Sequence, residues 1–135
     1  MIGGHRRLRP YGALGALSLT LLGGCAPEFD WDAVRQQSAQ IRLNCASQHP
    51  DSMVAAEQCA NGPIRALYAS GGFPDMDVID AYLAHRGVIA TWQDSRTISP
   101  QQARADYAQA LADENSILQK RGWPASSLAS PMSNP

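Results

Sequence analysis

Side chains able to do acid–base, metal or thiol chemistry are few in this chain of 135 residues, which holds three cysteines and three histidines. Asp75, Asp77 and Asp80 form the densest acidic group. Their spacing puts them in the first turns of a helix, where carboxylates meet the positive end of the dipole. Asp94, followed by Ile98 and Ser99, has the outline of a calcium loop but lacks the Asp-x-Asp-x-Asp-Gly series and the closing Glu. His85 and Arg86 have no acid or thiol three or four positions away, so a surface histidine is expected. Cys45, His49 and Cys59 could begin a zinc site, yet a closed site needs four ligands and no others cluster there. Ser99 reads as a helix cap. No nucleophile elbow, phosphate-binding glycine loop or His-Glu-x-x-His pattern is present. The sequence offers no catalytic residue, no cofactor and no metal site, so a non-enzymatic protein is expected. Trp31, Trp92 and Trp123 are expected at the core or its edge, with Trp123 the most exposed.

The N-terminus has its own organisation. His5, Arg6, Arg7 and Arg9 precede an uncharged apolar run, Tyr11 to Leu22, and then Gly23, Gly24 and Cys25. That order is secretory signal architecture, and the run falls short of the roughly 20 residues a spanning helix needs. The junction Leu22-Gly23-Gly24-Cys25 resembles the lipobox of bacterial lipoproteins. The resemblance implies diacylglyceryl transfer to the Cys25 sulfur, cleavage before Cys25 and acylation of the new amine, of which palmitate is the usual source. Several acyl chains anchor stably where one does not, at roughly 0.8 kcal/mol per buried methylene. Ala26 in place of Asp implies sorting to the outer membrane. With Cys25 lipidated, Cys45 and Cys59 remain as an even pair, which an oxidising periplasm would hold as a disulfide. If the first helix ends at Cys45, the pair needs steeply crossed helices or a linker that folds back.

Removing the signal takes away three arginines, leaving 8 basic against 12 acidic residues and a charge of -4. That balance argues against nucleic acid as a partner. Boundaries follow as 1–24 signal, 25–29 lipidated tether, 30–123 helical domain and 124–135 flexible tail. With 7% aromatic residues, the core must lean on Leu, Ile, Val and Ala.

The elements that would position any site are all helical. Asp30 caps a first helix whose inward row is Trp31, Val34, Ser38, Ile41 and Cys45, with Phe29 and Val34 as a staple. A second, from Pro50 or Ser52 to Ala60, is interrupted at Asn61-Gly62-Pro63. Pro63 then opens a short helix carrying Ile64, Leu67 and Tyr68, which stops at Gly71-Gly72. Asp75 caps a helix bearing Met76, Ile79, Tyr82, Leu83, Ile89 and Trp92, and Gly87 need not break it. Ser99-Pro100-Gln101-Gln102 opens the last, with Ala103, Tyr107, Ala110, Leu111, Ile117 and Leu118, before Lys120-Arg121-Gly122 and Pro124 end it.

The predicted fold is an all-α bundle of about four helices with one disulfide and a long C-terminal αα-hairpin. In that hairpin facing positions sum to about 196: Trp92 meets Ala103, Ile89 meets Tyr107, Arg86 meets Ala110 and Ile79 meets Ile117, with Arg86 long enough to reach Glu114 as well. Incomplete cover would leave Tyr68, Leu83, Leu111 and Leu118 around an apolar groove, the candidate partner site. In layout, a small helical lipoprotein with one disulfide is similar to the pilotins that escort secretins to the outer membrane. The function expected is binding of another envelope protein, the membrane being reached through the lipid. The alternative is a periplasmic small-molecule or peptidoglycan-associated binding module, which a pocket with converging polar groups would favour.

Overall fold

Three of the four helix starts are capped by the side chain the sequence points to. A computed structural model describes residues 28–125, 127 and 128; the expected export signal and Cys25 lie outside the described residues. Within them are four helices and no strand: α1 (Trp31–Gln48), α2 (Met53–Ser70), α3 (Met76–Asp94) and α4 (Pro100–Lys120). Asp30 accepts from the Ala33 amide, Ser52 from Ala55 and Ser99 from Gln102, each satisfying a donor the first turn would leave unpaired. The spacing of Ser99 and Gln102 is that of a capping box, but the Gln102 side chain does not close it. Its amide nitrogen turns forward to Asp106 instead.

The three later helices end alike. Phe73 N donates to Tyr68 O and Gly72 N to Ala69 O; Thr97 and Arg96 repeat the pair with Trp92 and Gln93, and Trp123 and Gly122 repeat it with Leu118 and Gln119. This is the Schellman arrangement, which requires a left-handed residue just past the cap. Gly72 and Gly122 supply it at φ 76° and 94°. In the third motif Arg96 takes the same conformation, at φ 58°.

One break expected in the sequence does not occur. α2 runs unbroken through Asn61-Gly62-Pro63, so Pro63 is internal and starts no new helix. Ala60 and Ile64 are buried on either side, while Gly62 and Pro63 face solvent. The carbonyl that Pro63 cannot serve is therefore on the wet side, and burial of the flanking residues outweighs a poor local propensity.

Packing is serial. α1 packs on α2, α2 on α3 and α3 on α4, whereas no Cα of α1 lies within 8 Å of one in α4. The main core joins Val34, Cys45, Ile64, Tyr68, Ile79, Leu83, Leu111 and Leu118. A second cluster of Ile89, Ala103, Tyr107 and Ala110 fastens α3 to α4. Trp92 remains 43% exposed and Ile117 is also exposed, so the expected inward rows of these helices stop short of both. Cys45 and Cys59 form the disulfide, with Cα atoms 5.7 Å apart. The expected geometric tension is relieved because α1 continues past Cys45 to Gln48. The turn moves outward, and Cys45 then faces the interior of α2. Closing a loop of this size stabilises a small domain by roughly 3 kcal/mol.

The segment after α4 is not loose at its start. Leu128 is buried in the main core and its amide donates to Asn115 Oδ1 at 2.8 Å. Leu128 shares that core with Val34 of α1 and with Leu111 and Leu118 of α4.

Replacing Arg96 with Gly should stabilise the domain by about 1 kcal/mol, since only the side chain makes that conformation costly. A higher urea midpoint at unchanged slope is the expected reading.

Candidate functional site

The most concentrated polar chemistry lies inside the helices. On α2 the inward row Ala56, Ala60, Ile64 and Tyr68 also carries Glu57, which is buried. Arg86, inward on α3 between Tyr82 and Ile89, grips it with two bonds: Nη2 donates to Oε1 at 2.6 Å and Nε to Oε2 at 3.1 Å. Arg42, one turn after Ser38 on α1, donates Nη1 to Oε2 at 2.7 Å. The Arg86 guanidinium lies 4.4 Å from the Tyr107 ring centre on α4, and its Nη1 donates to the Tyr82 hydroxyl at 3.4 Å. One carboxylate thus connects three helices, and a ring connects the fourth.

Burial pushes the Glu57 carboxyl up, but the bonds and charge of Arg86, then of Arg42, outweigh it and hold the group below its usual range. Burial also opposes the Arg86 charge, and Glu57 and Tyr82 more than compensate, raising its pKa. Arg42 goes the other way, lowered by burial and by the nearby Arg86 charge. Burial raises the Tyr107 hydroxyl to about 12. The expected contact of Arg86 with Glu114 is replaced by this one, because α2 lies against α3 and offers a carboxylate that accepts both guanidinium bonds. Glu114 is left buried, its Oε2 without a partner among the described residues, and desolvation raises its pKa.

A second cluster closes the end where the described chain begins. Phe29, Trp31, Phe73 and Trp123 lie with ring centres 4.7–6.5 Å apart, and Tyr68 joins through Phe29, Trp31 and Phe73. Gly71 allows the approach: a Cβ there would stand 2.8 Å from Phe29 Cε2. Trp123 is half-buried, contrary to its expected exposure, and Nε1 donates to Asp75 Oδ2 at 2.6 Å. Asp75 therefore makes no side-chain cap for α3. The bond from Trp123 and those from Arg121 lower its pKa. Arg121 also binds Asp77, and Arg65 binds Asp80. The acidic run thus serves three ion-pairing positions as well as a helix start.

At the opposite end Asp94 caps α2 from outside, accepting from Ser52 Oγ and the Met53 and Val54 amides at 2.9–3.0 Å. The amide of Val54 is the main cause of its lowered pKa. Beside it opens a cleft of about 690 Å³ between Pro50–Met53 and Gln93–Pro100. His85 is exposed on α3, as its sequence context suggested.

The four residues expected to rim a groove do not. Tyr68, Leu83, Leu111 and Leu118 are all core, and Leu111, the most exposed of them, keeps only 7%. Cover is complete there because Leu128 and the rings fill the space that helices alone would leave. Cys45 and Cys59 are joined in the disulfide, so no thiol pair is available to a metal with His49. Among the described residues no three His, Cys, Asp or Glu side chains gather as a metal site, and no helix is long and apolar enough to cross a membrane. Sequence reasoning missed Glu57. Its signal was a carboxylate on a buried row, with Arg42 and Arg86 on the inward rows of other helices.

No protein-family model, curated protein or solved structure matches this chain.

Glu57→Gln should cost about 3 kcal/mol at neutral pH, because it strands two buried guanidinium groups. The contribution of Glu57 is full above its unfolded pKa, about 4.3, and is lost as pH falls through the lower folded value. Glu114 has the opposite sign: its cost is absent below the unfolded pKa and grows as pH rises through the higher folded value. Glu114→Gln should raise the melting temperature at pH 7 by a few degrees, and melts at about pH 4 should show the gain gone.

Proposed function

We propose that this chain is a non-enzymatic lipoprotein, anchored through Cys25 on the periplasmic face of the bacterial outer membrane, whose helical domain binds another envelope protein. The observation that carries this reading is the Cys45–Cys59 disulfide. It consumes two of the three cysteines and suits an oxidising compartment. Cys25 is then the remaining thiol, at the lipobox position after an export signal. Packing of the domain begins at Phe29, four positions downstream, so the tether from lipid to domain is short. The aromatic end thereby faces the anchor, and the cleft beside Asp94 faces away from it.

We also take α3 and α4 as the long antiparallel hairpin that carries the binding surface. Ile89 shares a cluster with Tyr107, and Arg121 reaches back to Asp75 and Asp77. Both fit pairing about a constant sum of residue numbers.

Mass spectrometry of the membrane fraction should find Cys25 acylated at a new N-terminus, and Cys25→Ser should move the protein out of that fraction. Unmodified wild-type protein in the soluble periplasm would overturn the anchor. Photo-crosslinking from exposed positions such as Trp92 and Arg104 in intact cells should join the domain to an envelope protein. No adduct from any exposed position would overturn the binding role.

A further inference from the structure

The layer around Glu57 holds two guanidinium groups against one carboxylate, in a domain whose overall charge is negative. Arg42 carries the surplus from α1, whose Cα atoms all stay more than 8 Å from those of α4, leaving a wedge between the two helices. One end of the wedge is filled by Phe29, Trp31, Trp123 and Leu128. Arg42 lies 11 residues after Trp31, roughly 16 Å further along α1 at the helical rise. Its side chain is 21% exposed, and only Nη1 is engaged with Glu57. Two donors nearby lack partners among the described residues. Ser38 Oγ, on the same inward row one turn before Arg42, is buried and unbonded. The Tyr107 hydroxyl, which lies within the field of Arg86, Arg42 and Glu57, is likewise buried and unbonded. Tyr107 continues into the stripe Arg104, Tyr107, Leu111 and Asn115, spaced to share one side of α4. Leu111 on that stripe shares the core cluster with Val34 of α1. Arg104 is exposed there and makes no ion pair among the described residues. Uncompensated guanidinium charge next to unbonded buried hydroxyls is the reverse of what a finished interior shows, where buried polar groups are paired.

We propose that the α1/α4 wedge at Arg42 is an anion-recognition groove, and that its occupant is an acidic segment of a partner protein whose carboxylate takes the spare Arg42 donors. This rests on the reading of the domain as a protein-binding module. A lipid headgroup fits less well, because Arg42 lies roughly 16 Å along α1 from the end where the tether would enter. The exposed Leu43 beside Arg42 suits a protein segment that carries apolar residues next to its acids. The negative charge elsewhere on the domain repels such a segment from other faces and steers it to this one.

The test titrates the full-length chain, purified in detergent, with a synthetic peptide of alternating Glu and Leu and with its Gln counterpart. The Glu peptide should bind, shift the Arg42 Nε and Tyr107 ring signals in NMR spectra, and weaken at least about tenfold as salt rises from about 50 to about 500 mM. Arg42→Gln should reduce binding by about tenfold or more. Arg104→Glu, on an exposed position that leaves the helical signal intact, should weaken binding comparably and stays readable if the first variant does not fold. Equal binding of the Gln peptide, undiminished binding by Arg104→Glu, or the same shifts produced by inorganic phosphate or phosphatidylglycerol vesicles would each overturn the proposal. Envelope crosslinks that persist undiminished in Arg104→Glu would overturn the wedge alone and leave the protein-binding role standing; loss of crosslinks from every exposed position removes the role itself.

Discussion

Glu57 sets a constraint that the rest of the domain must obey. A buried carboxylate is tolerated only with its lone pairs occupied, and here the donors come from helices on both sides of α2. Arg86 binds in two-point fashion, which fixes direction as well as distance. A slip of α1 or α3 by one turn would leave either guanidinium without its acceptor, whereas a leucine in the same row would tolerate the slip. Against an apolar residue of equal volume such a network is worth little net energy. Its value is registry, since it specifies where three helices must stop relative to one another. Tyr107 extends the same registry to α4 through its ring, without asking that helix for a charge.

The aromatic end works on different physics. Ring contacts are short in range and permissive in angle, so they collect whatever elements the registry brings together. Phe29 precedes α1, Tyr68 ends α2, Phe73 precedes α3 and Trp123 follows α4, and all meet at one end. The closeness of the first and last elements is thus secured by side chains outside the helices. Asp75 gives up capping for this purpose, because its carboxylate is needed by the Trp123 indole and by Arg121. Those two bonds hold the end of α4 against the start of α3.

Features decided within a few residues of chain were legible. Asp30, Ser52 and Ser99 at helix starts, Gly72 and Gly122 at helix ends, and the pairing of Cys45 with Cys59 all follow from local chemistry or from cysteine parity. What failed depended on distant partners. Asn61-Gly62-Pro63 carries the local signal of a break followed by a new helix start at Pro63, yet Ala60 and Ile64 are buried by neighbours the local pattern cannot see. Trp92 and Trp123 exchange their expected exposures for the same reason: Phe29, Phe73 and Asp75 surround one and nothing comparable surrounds the other. Arg86 was paired with Glu114 on the assumption that its nearest neighbour was the following helix. The residue that answers it lies on the preceding one. The four-residue groove disappears for a related reason, since Leu128 belongs to a segment whose composition gave no sign of burial.

Why the helices form a row that does not close follows from their composition. α4 is rich in small residues, with Ala103, Ala105, Ala108, Ala110 and Ala112 in thirteen consecutive positions beginning at Pro100. Alanine brings helices close only where the opposing face is broad, and α3 takes that place through Ile89. Toward α1, at a greater separation, alanine cannot reach. The chain has nine aromatic side chains to fill such a gap. Five are gathered at one end, Tyr82 and Tyr107 back the arginines, Trp92 faces solvent, and Tyr11 lies outside the described residues. Further along, the long side chain available is arginine. Its stem packs like an aliphatic residue while its head needs either a carboxylate or water. Arg86 meets the first condition fully, and Arg42 meets it with one nitrogen while its side chain stays 21% exposed. A bundle short of large apolar residues therefore completes its middle with guanidinium groups. Those groups carry more charge than the single acid between them can neutralise.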